Sequence, residues 1–350
     1  MPKKKQVRFA TIGINHGHIY GQTDLMLRAG AELVSVYASE EDLLAQYVKT
    51  FPDAIIAESE AKILEDESID LVISAAVNAD RAPLGIRVMQ HAKDFMSDKP
   101  GITSLSMLEK VRQVQAETGR IYSICYSEHF EQPATVRAGE LVHGGAIGDV
   151  IETIGLGPHR TRLELRPDWY FQRARYGGIL TDIGSHQMEQ FLFFTGANDA
   201  EILQAQVGNF KHPQYPELED YGDVLLRADT GVTGYVRVDW YTPEGLDNWG
   251  DGRLFVLGTE GYIELRKYTD ITRHNGGNHL YWVNQEGMHY ENCNNVDLPY
   301  GRQLVYDIIN RTETAMRQEH CFKAMELALK AEKLAVRRGH LDPAWNPAWD

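Results

Sequence analysis

Apolar and polar positions follow two different rhythms along this chain. Over the first 125 residues, short strand-forming runs occupy 7–12, 33–38, 55–56, 71–75, 94–97 and 121–125. Between them, apolar residues recur at three- and four-residue spacing, which predicts helices from about Thr23 and over 40–50, 61–65, 83–91 and 104–118. Strands alternating with helices at this spacing imply parallel βαβ units in a doubly wound sheet. Six such strands with a glycine turn after the first form the dinucleotide-binding (Rossmann) arrangement, whose ligand lies at the carboxyl ends of the strands.

After residue 125 the rhythm changes. Residues 132–143 predict a helix closed by Gly144-Gly145. From Val150 onward come longer runs, several alternating with period two, at 150–155, 201–210, 223–228, 231–240, 253–257 and 262–267. Turn signals such as Asp229-Thr230-Gly231 separate several of them. A helix is expected over 178–195 and another helical region over 302–337. The expected architecture is therefore α/β followed by α+β: a dinucleotide domain over 1–127, and a mostly antiparallel, open-faced sheet domain over 128–350. An uncovered sheet face is a liability, so a homodimer or homotetramer built through it is expected.

Composition narrows the partners. The 350 residues are 43% hydrophobic and 24% charged, with a net charge of −15. Nucleic acids and anionic membranes reward a basic surface, so neither is an expected partner. The basic cluster Lys3-Lys4-Lys5 is expected to be a solvated tail. No apolar run approaches the ~20 residues that span a bilayer, and the start lacks the pattern of a signal peptide. Cys125, Cys293 and Cys321 are scattered and odd in number, which fits a reduced, cytoplasmic setting without a zinc cluster.

Three stretches carry candidate chemistry. In the first turn, Gly13-Ile14-Asn15-His16-Gly17-His18 keeps the first glycine of G-x-G-x-x-G. Asn15 and His18 replace the other two, and Asn tolerates the left-handed backbone a tight turn demands. His16 and His18 have no acidic or cysteine partner nearby in sequence, which favours cofactor or substrate contact over a metal; no metal is expected. Where an acid commonly reads the ribose stands Ser39, followed by Glu40, Glu41 and Asp42. Three acids without a nearby Arg favour NAD, with NADP left open.

Ser97-Asp98-Lys99-Pro100 ends the fifth strand and points an ammonium toward the nicotinamide crevice, where it would steady a developing alkoxide. Gly177-Gly178 then precedes Asp182 and His186, four residues apart and hence on one helical face. An amphipathic helix edge offers the same pattern. An imidazole there can take and give a proton near neutral pH.

Taken together, Asp98-Lys99-Pro100, Gly145-Ala146-Ile147-Gly148, Gly177-Gly178 through His186, and Gly258-Thr259-Glu260-Gly261 resemble the Gfo/Idh/MocA oxidoreductases. They match that family's E-K-P, G-x-I-G, GG-x-x-x-D-x-G-x-H and G-T-x-G motifs, and the likeness covers nearly the whole chain. It implies hydride transfer between NAD(P) and a secondary alcohol or ketone of a sugar, polyol or similar hydroxy compound. Lys99 takes the substrate-polarising position; Asp182 and His186 take the substrate-binding and proton-transfer positions. Gly13, Ile14, Asn15, His16, His18, Ser39, Asn78, Asp98 and Lys99 are expected around the cofactor. Tyr126, His159, Arg166, Trp169 and Tyr170 are expected around the substrate. The chain departs from the family at Asn15, His18 and Ser39. It departs again at Val77-Asn78-Ala79-Asp80-Arg81, where the family has P-N-x-x-H, and at His129-Phe130, where it has R-F. Two other functions use the same residues: redox-cycling hydrolysis or elimination on a transiently reduced NAD, and non-catalytic sugar or nucleotide sensing.

Overall fold

The computed structural model describes residues 6–272 and 274–341; the Lys3-Lys4-Lys5 cluster and the Pro- and Trp-rich end lie outside them. Contacts divide the chain into two units: residues 6–125 with Pro299–Phe322, and Tyr126–Leu298 with residues 323–341.

In the first unit the apolar runs become β1 (Arg8–Ile12), β2 (Glu32–Tyr37), β3 (Ile55–Ile56), β4 (Leu71–Ser74), β5 (Asp94–Asp98) and β6 (Tyr122–Cys125). Their order is β3-β2-β1-β4-β5-β6, and every pairing is parallel. Strands β4, β5 and β6 are buried along their whole length, as strands covered on both faces must be. The intervening helices are α1 (His18–Arg28), α2 (Glu41–Thr50), α3 (Glu60–Glu65), α4 (Asn78–Gln90) and α5 (Leu105–Thr118). Two of them begin about five residues before the apolar spacing predicts. α1 starts at His18, directly after its N-cap Gly17, and α4 starts at Asn78 with Pro83 inside it. In both, the first turn mixes polar residues with a single aliphatic one, Ile19 in α1 and Ala79 in α4, too few for a hydrophobic-spacing rule to register.

Pro299–Phe322 clusters with this unit, a return not anticipated by an expectation that placed all of 128–350 in one domain. α11 (Tyr300–Asn310) packs on α1, and Tyr300 shares a 2.7 Å hydrogen bond with Ser123 on β6. Arg311 reaches the Asp94 carboxylate at 2.7 and 2.9 Å. The Gln318 amide accepts from the Tyr122 N–H (2.8 Å) and donates to the Tyr122 carbonyl (3.2 Å). One side chain thus acts as a short strand neighbour on the edge strand β6. A buried N–H left unpaired there would cost about 1–3 kcal/mol.

The second unit opens with α6 (Ser127–Phe130) and α7 (Pro133–His143) and carries a nine-stranded sheet, β14-β13-β12-β11-β7-β10-β9-β8-β15. Six strands were expected: β7 (Val150–Pro158), β8 (Ala200–Asn209), β9 (Tyr221–Ala228), β10 (Thr233–Asp239), β11 (Arg253–Gly258) and β12 (Tyr262–Arg266). The hairpin β13 (His279–Asn284) and β14 (Gly287–Asn292), and the short β15 (Val336–Gly339), were not. Pairing is antiparallel except for β7 with β10 and β8 with β15. The predicted helical region 302–337 is two helices, α11 and α12 (Gln318–Leu334), followed by β15.

On one face of this sheet, Ala134, Ala138 and Val142 of α7 meet Leu254, Val256, Ile263, Leu265 and Leu280. Each fully buried aliphatic side chain of that size contributes roughly 1.5–3 kcal/mol. Alternation then sends Leu225, Leu257 and Tyr262 to the other face, where they are 39%, 41% and 51% exposed. No helix among the described residues is long and apolar enough to cross a membrane.

Candidate active site

In the first unit, β1 delivers the chain to Gly13 at φ +75°. A Cβ there would come 2.5 Å from Ala76 Cβ, so the position admits only glycine. Asn15, at the second fingerprint position, turns its amide outward to a partner 25 residues on. Its Nδ2 donates to Glu40 Oε1 at 2.7 Å, and Ser39 Oγ donates to Glu40 Oε2 at 3.0 Å. The carboxylate beside the turn at the end of β2 is therefore Glu40, whereas the expected position, Ser39, serves to hold it. Ile14 is buried, and Asn78, 2% exposed, opens α4 after β4.

His16 and His18 converge on Asp98, which is 1% exposed. His18 Nδ1 lies 3.0 Å from Oδ1, His16 Nδ1 3.5 Å from Oδ2, and the two imidazoles meet edge to face at 4.2 Å. The acidic partner missing from the local sequence thus arrives from β5, eighty residues later. Arg81 Nη2 adds a third contact at 3.2 Å from Oδ2. Burial alone would raise the Asp98 carboxyl; the charges of His18 and Arg81 instead hold it well below the usual carboxylate range. Burial, reinforced by His18, pushes His16 well below the ordinary imidazole value. The ligand atoms of His16, His18 and Asp98 lie within 4.8 Å of one another, close enough to consider a cation. Arg81 already supplies positive charge to that carboxylate, and the adjoining N-terminus of α1 disfavours a cation. Lys99 follows Asp98, is 5% exposed, and precedes a cis bond to Pro100.

In the second unit, α8 (Arg173–Tyr176) runs into Gly177 and Gly178, both at φ +94°. The turn leads into α9 (Ile179–Asp182), whose N-terminus is capped by two carboxylates from distant parts of the chain. Ile179 N donates to Glu219 Oε2 at 2.8 Å, and Leu180 N to Glu332 Oε2 at 3.0 Å. The Arg173 guanidinium lies between these acids, 3.2 Å from Glu219 and 2.8 Å from Glu332, with all three side chains 0% exposed. A Cβ on Gly178 would fall 2.5 Å from the Glu332 carboxyl, which explains the second glycine. Burial pushes Glu332 upward against the opposing pull of Arg173.

Asp182, 4% exposed, accepts a 2.7 Å hydrogen bond at Oδ2 from the Tyr170 hydroxyl. The helix expected over 178–195 is interrupted at Ile183, whose backbone stays right-handed helical (φ −79°, ψ −39°), and resumes as α10 (Gly184–Thr195). His186 follows at 2% exposure, with the Tyr126 ring 6.3 Å away in an edge-to-face arrangement. Glu128, unforeseen in sequence, interacts electrostatically with both His186 and His159. Burial would raise its carboxyl, but Lys267 at 2.9 Å holds it below the usual range.

The other expected pocket residues form an aromatic wall. The Arg166 guanidinium lies over the rings of Tyr170 (4.4 Å) and Trp240 (4.7 Å). Trp169 meets Tyr170 edge on at 5.4 Å. His159 packs between Trp240 (5.5 Å) and Trp249 (4.5 Å). Trp240 and Trp249 were missed because one ends a strand and the other lies in a polar loop. Trp240 also lines a cavity of about 510 Å³ with Arg160, Lys211 and Thr242, whereas Asp182 and His186 do not line it.

A parallel sheet in this order with a glycine turn after its first strand, followed by a mixed sheet carrying a carboxylate and an imidazole, defines the class: a dinucleotide-fold protein with an appended α+β unit. The comparisons agree. Residues 135–264 match the model of the GFO/IDH/MocA C-terminal domain. A solved structure from Erwinia carotovora atroseptica, described as a candidate oxidoreductase, is 45% identical with a TM-score of 0.93, over 95% of this chain and 100% of that one. The scyllo-inositol 2-dehydrogenase (NAD(+)) of Bacillus subtilis is 27% identical over 264 residues, 74% of this chain and 73% of the relative. Its NADP(+) counterpart IolW is 26% identical over 178 residues, 50% of this chain and 49% of the relative. The chain belongs to the Gfo/Idh/MocA family.

The His16 shift has a stability consequence. Its folded value lies below the ordinary 6.5, so the unfolded chain takes up the proton first. The contribution is fully present above that value and is lost as the pH falls below it. The melting temperature is expected to drop between about pH 7 and pH 5, and His16→Asn to flatten that drop, as differential scanning fluorimetry would record.

Proposed function

We propose that the protein is an NAD(P)-dependent oxidoreductase that moves a hydride between the nicotinamide and a secondary alcohol or ketone of a sugar, polyol or similar compound. The carrying observation is the buried Asp182, bonded to Tyr170 one helical turn before the buried His186, in a chain of this family. The similar Bacillus subtilis proteins, both inositol dehydrogenases, support the substrate class.

A dinucleotide fits the residues of the first unit. The strand order reverses between β1 and β4, Gly13 keeps the turn clear of a side chain, and Glu40 stands beside it. Gly13, Ile14, Asn15, His16, His18, Asn78 and Asp98 would hold it, and when bound it supplies a hydride acceptor or donor. Lys99 steadies negative charge on the reacting oxygen. His186 takes the hydroxyl proton in oxidation and returns it in reduction. Asp182, held by Tyr170, binds a neighbouring hydroxyl or orients His186. Tyr126, His159, Arg166 and Trp169 border the substrate, where an aromatic face can stack on a sugar ring.

In purified protein supplied with a polyol and sugar panel, Lys99→Ala and His186→Ala are each expected to lower kcat/KM by roughly 10²–10⁴-fold. Near-normal turnover by both variants would end the assignment. Product without net NADH would instead indicate the redox-cycling hydrolase or lyase; dinucleotide binding without turnover would indicate a sensor.

Glu40 favours NAD, because a carboxylate accepts ribose hydroxyls and repels a 2′-phosphate. Thermal-shift titration is expected to give tighter NAD than NADP binding, and Glu40→Gln to narrow the ratio by about tenfold or more. An unchanged ratio would remove Glu40 from cofactor selection.

Two copies are proposed to pair through the open sheet face that presents Leu225, Leu257 and Tyr262. Sedimentation of Leu225→Lys combined with Leu257→Lys is expected to show a smaller species than the wild type; an identical species would place the interface elsewhere.

A further inference from the structure

We infer that Arg81 is a positioning residue for Lys99, an inference that rests on the proposed role of Lys99. Arg81 lies in the first turn of α4 and is 0% exposed. Its Nε donates to the Ala76 carbonyl at 2.7 Å, just beyond β4. Its Nη1 donates to the carbonyls of Lys99 (2.5 Å) and Pro100 (3.1 Å), and its Nη2 lies 3.2 Å from Asp98 Oδ2. One planar group therefore links the segment after β4 to three successive residues at the end of β5. Guanidinium donors are fixed in one plane, so bonds on several edges fix the relative placement of everything they reach. The Lys99 side chain grows from a Cα whose own carbonyl is held this way.

The same geometry couples two departures from the family motifs. Arg81 stands at the His of P-N-x-x-H, and Asp98 at the Glu of E-K-P. The longer residue here faces the shorter one, so the reach lost at 98 is recovered at 81. A lysine at 81 could still meet Asp98, yet its point charge cannot also span Ala76 and the Lys99 carbonyl.

The test uses the full-length protein with Arg81→Lys, Arg81→His, Asp98→Glu and the combined Arg81→His, Asp98→Glu variant. Each single change is expected to lower kcat by about tenfold or more; in the two Arg81 variants NAD affinity by thermal shift stays within about threefold, whereas Asp98→Glu is read on kcat alone because Asp98 also borders the dinucleotide. The combined variant should recover most of the lost kcat. In a Lys99→Met background, Arg81→Lys should cause no further loss of rate, because a residue acting only through Lys99 has nothing left to position. Full kcat in Arg81→Lys, no recovery in the combined variant, or a further loss in the Lys99→Met background would each overturn the inference. If the wild type transfers no hydride to any tested alcohol, the functional reading fails separately. The crystal structure of Arg81→Lys then decides: a Lys99 Nζ displaced by about 1 Å or more supports positioning, and an unmoved Nζ overturns it.

Discussion

A carboxylate stays ionised in a protein interior only where positive charge and hydrogen bonds replace the water it has lost. Both units of this chain are arranged around that requirement. In the first, Asp98 at the end of β5 is nearly inaccessible and is met by Arg81, His16 and His18. In the second, Glu128 is held by Lys267, and Arg173 lies beneath the Gly177-Gly178 turn between Glu219 and Glu332, of which Glu332 is still pushed upward by its burial. Each cluster lies beside a residue assigned to chemistry. The Asp98 group precedes Lys99, the Arg173 group caps the helix that ends in Asp182, and Glu128 interacts with His186. Removing one partner from such a cluster leaves a buried charge uncompensated, which typically costs about 3–5 kcal/mol. These clusters therefore hold backbone and side chains in place with little tolerance for substitution.

The altered glycine fingerprint follows from the same economy of buried polar groups. Asn15 looks like an erosion of the motif until its amide is seen holding Glu40, with Ser39 on the other carboxylate oxygen. His18 likewise stands where a third glycine would allow close packing, and its ring reaches Asp98. A backbone cradle has been exchanged in part for a side-chain network joining the ends of β1, β2 and β5. Such a network offers a dinucleotide a more polar and more titratable surface than glycine does.

Family membership and catalytic detail stand on different footings. The C-terminal domain match and the 45% identical relative carry the family. The roles of Lys99, Asp182 and His186 rest on chemistry and position within each unit. Tyr170 sharpens the second unit's part, since its hydroxyl fixes one oxygen of Asp182.

Periodicity alone determined the architecture: six short runs separated by helical spacing became a parallel sheet, and longer alternating runs became a mostly antiparallel one. Local motifs likewise pointed to Gly13, Lys99, Asp182 and His186, because turn conformation, strand ends and four-residue spacing are short-range properties. What the sequence could not supply was every partnership across long separations. Glu40 for Asn15, Asp98 for His18, Arg81 for the Lys99 carbonyl, and Glu219 with Glu332 for α9 lie 18 to 152 residues apart. The helix starts at His18 and Asn78, the hairpin β13–β14 and the return of Pro299–Phe322 were hidden for a related reason. Their mixed first turns, exposed faces and chain reversals leave little hydrophobic period to read. Only the folded chain decides which buried charge meets which, because that choice depends on distance in space and on the water that folding removes.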